Sequence, residues 1–212
     1  MKSSLTIDGR IASAPQERSK DGTLRHLGTA AIYTVVSVIL LGVVYPLVMT
    51  GIAQLAFPFQ SNGSIVTVGG RTAGSEIVGQ LWTKPQYFQG RPSAAGKGYD
   101  PTSTGGTNLA PTSKKLIDAT RAAIAALKKA NPEATGPVPM DLVTSSASGI
   151  DPDISPEGAY YQVPRIAKAR GLPAATVAAL VAAHVRGREL GFLGEPHVNV
   201  LALNLALDAA RR

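Results

Sequence analysis

The chain has no cysteine, so a disulfide framework and a thiolate metal site are both excluded. Histidine is scarce, with only His26, His184 and His197, and no H-E-x-x-H spacing joins them. Asp151 and Asp153 lack the rest of an EF-hand pattern, so a turn or capping role is the plainer reading. No G-x-S-x-G nucleophile elbow occurs, and no S-x-x-K set. Gly90 to Lys97 comes near a phosphate-cradling loop. It has one residue too many before Gly96-Lys97, and Gly98 stands where Ser or Thr is needed. Aromatics are also few, at 5% of 212 residues with a single Trp, so Ala and Leu must do most of the apolar packing.

The most informative absence is local. From Gly28 to Phe57 there is no Lys, Arg, Asp, Glu or His. A bilayer core about 30 Å thick needs ~20 apolar helical residues to span it, and this run exceeds that. A cleaved signal peptide has a shorter apolar core and a small-residue cleavage site. Here the exit reads Gln54-Leu55-Ala56-Phe57-Pro58 instead. A buried soluble helix is usually amphipathic, and this run is apolar all round. The reading is an uncleaved transmembrane helix over 28–57, with its core at about 30–51. Pro46 lies inside it, where it frees the carbonyl of Gly42 and kinks the axis. Gly42, Pro46 and Gly51 together suggest close packing against neighbouring helices.

Residues 1–27 form a polar head with Lys2, Arg10, Arg18, Lys20 and Arg25 against three acids, and the next basic residue is Arg71. Basic residues beside a span mark its cytoplasmic side, so the head is expected inside and residues 58–212 outside. That placement removes nucleic acid as a partner, although the whole chain carries a net charge of +7.

Past the span the pattern predicts an α+β domain, rich in helix, with a few short strands. Ile65–Val68 alternates weakly and reads as a strand before Gly69-Gly70, and residues 75–82 as a second. A helix is expected over 112–130, ended by Asn131-Pro132. A second should be capped by Ser155, open at Pro156 and stop at Gly171. A third starts at Pro173 and runs to about Arg188. A strand over 198–201 and a last helix over 203–211 follow. Two stretches resist assignment, 84–111 and 141–156, both dense in small polar residues, Gly and Pro. Long irregular segments inside a domain are usually functional or disordered. Tyr87, Phe88 and Tyr99 argue for order in the first.

Several stretches carry a resemblance. They are Gly79-Gln80, Tyr87 to Ser93, Gly105 to Leu109, Asp141 to Pro156, Gln162 to Ala167 and Gly194 to Asp208. In this order the chain resembles the KdpC family, the C subunits of bacterial Kdp potassium-transporting P-type ATPases. The resemblance implies one inner-membrane span and an outer domain, assembled with a channel-like KdpA, a P-type KdpB and a small KdpF. Those partners would handle K+ and ATP, and this chain would hold no cofactor firmly and have no catalytic residues. The family is described as a catalytic chaperone that raises the ATP affinity of KdpB, with nucleotide contact proposed at the Gln matching Gln162. ATP is cytoplasmic, so an effect from an outer domain requires indirect coupling through a two-state element. Assembly and stabilisation of the complex, or a cap over the potassium entrance, are the other roles implied. Tyr87, Phe88, Arg91, Pro92, Tyr99, Asn108 and Asp151 are the candidates for docking a partner. A free-standing anchored binding protein or hydrolase is the competing class.

Overall fold

The computed structural model describes residues 20–210 and divides into two compact units, 1–58 and 59–212. Most of the basic head lies outside the described residues; its last part, from Lys20, is already helical.

The described residues of the first unit form one helical rod. Helix α1 (Lys20–Ile39) passes into a π-helical turn, Leu40–Val44, and continues as α2 (Tyr45–Ala56). Gly22–Ala56 is a 35-residue helix apolar and long enough to cross a membrane. The π turn explains how the rod tolerates Pro46. Proline has no N–H, and its ring clashes with the carbonyl four residues back. Here the Tyr45 N–H reaches the Leu40 carbonyl instead, widening the ladder by one residue just before Pro46. Pro46 then falls in the first turn of α2, where its N–H is not needed. The expected disruption is therefore a wide turn inside a continuous helix. No residue of α2 or the π turn is buried, so their apolar surface is free for lipid or other helices. The positions Gly42 and Gly51 are open to close approach, since a Cβ at Gly51 would meet nothing within 4 Å.

The second unit opens within a short helical turn, α3 (Pro58–Ser61), followed by a hairpin of β1 (Ile65–Val68) and β2 (Arg71–Ser75). The strand expected at 75–82 does not form: residues 76–82 are turn and irregular chain with one isolated bridge at Val78, and the partner of β1 is the earlier stretch 71–75. Gly69 and Gly70 both take positive φ, +58° and +77°, as a two-residue turn between antiparallel strands requires. Helix α4 (Lys114–Ala130) then ends at Asn131, whose side-chain amide donates to the Leu127 carbonyl at 2.9 Å.

The core lies in the last third of the chain. β3 (Asp153–Ile154), β4 (Val185–Arg186) and β5 (His197–Asn199) form a small antiparallel sheet in the order β3-β5-β4. α5 (Pro156–Arg170), α6 (Ala174–His184) and α7 (Val200–Ala209) pack with it. Ser155 caps α5 as expected, accepting from Gly158 N at 2.9 Å, and Gly171 ends it in the left-handed region. α6 stops at His184, short of Arg188, because the next two residues pair with β5. α7 starts three residues early because Asn199 caps it, accepting from Ala202 N at 3.0 Å. Ile154, Ile166, Val177, Val181, Val198, Leu203 and Leu207 are each 2% exposed or less. Phe88 joins them from the irregular segment at 0%.

Candidate functional site

The irregular segment 84–93 has no strand or helix of its own, yet it enters the core. A buried backbone without partners is costly, so its N–H and C=O groups must be paired by something else. Here side chains do it. Asn204 of α7 accepts from Phe88 N at 2.8 Å and donates to Phe88 O at 3.0 Å. Gln162 of α5 treats the next residue the same way, accepting from Gln89 N at 2.8 Å and donating to Gln89 O at 3.0 Å. Both amide side chains are 0% exposed. Each acts as one rung of a strand that is not there.

Two arginines of α5 take the carbonyls just before. Arg165 donates through both terminal nitrogens to Tyr87 O at 3.1 Å and also to Pro85 O. Arg170 donates from Nε to Gln86 O at 2.8 Å. Five successive carbonyls, Pro85 to Gln89, are thus held by side chains of two helices. Arg165 is itself braced by Asn131 Oδ1 at 2.9 Å and Gln162 Oε1 at 2.7 Å. Burial lowers its guanidinium to about 10, still charged at neutral pH. The Arg170 side chain is 1% exposed, pairs with Asp208 at 2.7 Å and lies 4.9 Å from the Tyr87 ring centre. Trp82 packs against the same Tyr87 ring, with ring centres 4.8 Å apart.

Gln162 is the residue that the resemblance connects with nucleotide. Its oxygen accepts from Gln89 N and Arg165, and its nitrogen donates to Gln89 O and to Gly158 O at 3.2 Å. That fills both lone pairs and both N–H groups. In this conformation the side chain has neither exposure nor a free donor or acceptor for a ligand.

The two small-residue stretches meet each other. Arg91 pairs with Asp151 at 3.0 Å, leaving its Nε buried without a partner. Ser93 Oγ donates to Gly149 O at 2.5 Å and accepts from Tyr99 N at 2.7 Å. Tyr99 Oη donates to Arg91 O at 2.6 Å. A Cβ on Gly79 would lie 2.6 Å from Asp151 O, so only glycine fits between that backbone and the Tyr99 ring. Burial, and then the Asp151 charge, push the Tyr99 hydroxyl up to about 12. Burial also raises the Asp153 carboxyl, against the hydrogen bond from Asn199.

This arrangement sorts the docking candidates. Phe88 and Tyr99 are core residues, buried because the segment needs apolar anchors inside, so their rings are not offered to a partner. Tyr87, Arg91 and Asp151 are half-buried in intramolecular contacts, and Pro92 and Asn108 are exposed. Asn204, Arg165 and Arg170 were missed as partners of this segment. A lone Asn in the apolar run Val200–Ala209 was the available signal, because a buried amide implies a buried partner. An open cleft of about 660 Å³ lies between this segment and α4, with Trp82, Arg91, Lys97 and Tyr99 among its walls and no carboxylate lining it.

The fold and the long apolar helix define a protein with, among the described residues, one candidate membrane anchor and a small α+β domain. Residues 27–209 match the family model described as "KdpC: K+-transporting ATPase, c chain". The chain is 53% identical over 187 residues to a potassium-transporting ATPase KdpC subunit of Acidobacterium capsulatum, covering 87% of this chain and 98% of that one. It is 53% identical to the KdpC subunit of Sorangium cellulosum, over 89% of this chain and all of the relative. For that of Allorhizobium ampelinum the identity is 55%, over 88% and 97%. The chain belongs to the KdpC family of potassium-transporting ATPase subunits.

Gln162→Leu and Asn204→Leu should each cost about 3 kcal/mol, because each orphans a buried N–H and C=O pair. Chemical denaturation of the full chain in detergent measures this, with Lys115→Ala, on the exposed face of α4, as the unaffected control. A second expectation follows from Tyr99. Its hydroxyl ionises near 10 in an unfolded chain but near 12 when folded, so its stabilising contribution is complete below pH 10 and is lost from pH 10 to 12. Tyr99→Phe should flatten the fall in unfolding free energy over that window.

Proposed function

We propose that this chain is the non-catalytic single-span subunit of a high-affinity, ATP-driven potassium importer. It assembles with and stabilises the channel-like KdpA and the P-type KdpB, with KdpF alongside. The observation that carries this reading is the family match over 27–209, which takes in most of the apolar helix and nearly all of the second unit. K+ and ATP are handled by those partners. The five basic residues before the span support a cytoplasmic head and a second unit on the periplasmic or outer face of the inner membrane.

A chaperone-like rise in the ATP affinity of KdpB is then transmitted through assembly, not by direct contact. One observation supports this, the saturated, buried Gln162, and the proposed orientation, which separates the second unit from cytoplasmic ATP, agrees with it. The coupling would work through whichever conformation of the partner this subunit binds better.

Purification of the tagged chain from native membranes tests the assembly. The large channel-like and ATPase subunits should co-purify in fixed ratio. A chain recovered alone would favour the free-standing anchored protein instead. Orientation is read separately. The chain has no cysteine, so an impermeant thiol reagent on intact cells should label Lys115→Cys, which is exposed on α4, and spare Ser13→Cys. The reverse labelling would place the second unit beside ATP and overturn the indirect route.

A further inference from the structure

Between β4 and β5 the chain makes a tight excursion. Glu189 and Leu193 exchange backbone hydrogen bonds of 2.9 Å in both directions, and Arg188 pairs with Glu195 at 2.6 Å across the base. Gly191 N reaches Arg188 O at 3.1 Å, and Phe192 N reaches Glu189 O at 3.2 Å. The excursion is thus a closed, hydrogen-bonded turn. At its tip Leu190, Phe192 and Leu193 are 81%, 68% and 49% exposed. Other strongly exposed apolar residues of this unit, such as Leu81 and Met140, stand singly in sequence.

Leu190 also takes a φ of +52°, in the left-handed region that a residue with a branched, bulky side chain seldom adopts. Glycine or asparagine would suit that position better, and a solvent-facing turn has no internal use for leucine. A local rule broken twice, in conformation and in polarity, marks a site kept for something outside the chain.

Charge decides between the candidate occupants. A loop that dips into a lipid surface gains from unpaired Lys and Arg facing anionic headgroups. Residues 187–196 contain one positive, Arg188, already paired, against Glu189 and Glu195. A neutral-to-acidic rim around a rigid apolar tip fits a protein socket. Such a tip is pre-organised, so little ordering entropy is lost on binding.

We infer that Leu190, Phe192 and Leu193 form an apolar plug that docks into a hydrophobic socket on another subunit of the potassium-transporting ATPase. The inference rests on the subunit reading above. It supplies exposed anchors in place of Phe88 and Tyr99, which are buried.

The test uses the full chain co-expressed with the other subunits. Leu190→Gly combined with Phe192→Ser should leave the thermal midpoint of the isolated full chain unchanged or raised, since glycine suits the left-handed position. The same variant should lower recovery of the other subunits at least about tenfold, as expected when a central interface anchor is lost. A photo-reactive phenylalanine analogue at position 192 should cross-link to one of those subunits. Cross-linking to lipid or to a second copy of this chain would overturn the proposal. So would normal assembly of the double variant, or a clear drop in its thermal midpoint, which would make the tip structural. If the unaltered chain recovers no partner subunit, the subunit reading itself fails, which is distinguishable from failure of the tip alone.

Discussion

The second unit depends on one constraint: an irregular backbone segment is threaded into an apolar core and cannot leave its polar groups unpaired. Each orphaned N–H or C=O there would cost about 1–3 kcal/mol. The usual remedy is another strand, but the sheet has only three short ones, and none reaches residues 85–89. The remedy used is a row of side chains: Asn204, Gln162, Arg165 and Arg170. They are placed at helical spacings so that two helices read consecutive peptide groups. Phe88 supplies the apolar return at the centre of this bracket.

The same bracket ties together what the sequence presents as separate stretches. Segment 84–93 fixes Arg91 and Ser93, which fix Asp151 and Gly149, and Asp153 and Asn199 continue the chain of contacts to the sheet. Phe88 and Tyr99, which look like binding anchors on composition alone, are therefore internal joints of the domain, while Pro92 and Asn108 stay exposed. Gln162 belongs to those joints.

Much of the architecture was legible where chemistry is local. The apolar run, the Ser155-Pro156 start and the Gly171 stop of α5 each follow from one or two residues, and the structure has them in place. The strand at Ile65–Val68 was also visible. The paired glycines after it form the tight turn of a hairpin, so the second strand comes earlier than residues 75–82. What was not legible depends on distant partners. Nothing near Val185 announces that it will pair with Val198 and end α6. Nothing near Phe88 shows that an Asn 116 residues later will bracket it. Interface composition favours aromatics and arginine, but so does a segment that must be anchored in a core, and only burial separates the two.

The central claim is that the backbone of Phe88 and Gln89 is locked by Asn204 and Gln162 as firmly as a strand. Native-state hydrogen exchange of these two amides tests it most directly. They should exchange only through global opening of the second unit, at rates matching core amides such as Leu203 and Leu207 in α7. Exchange as rapid as at the exposed loop residue Thr104 would contradict the bracket and return this segment to the status of a free loop.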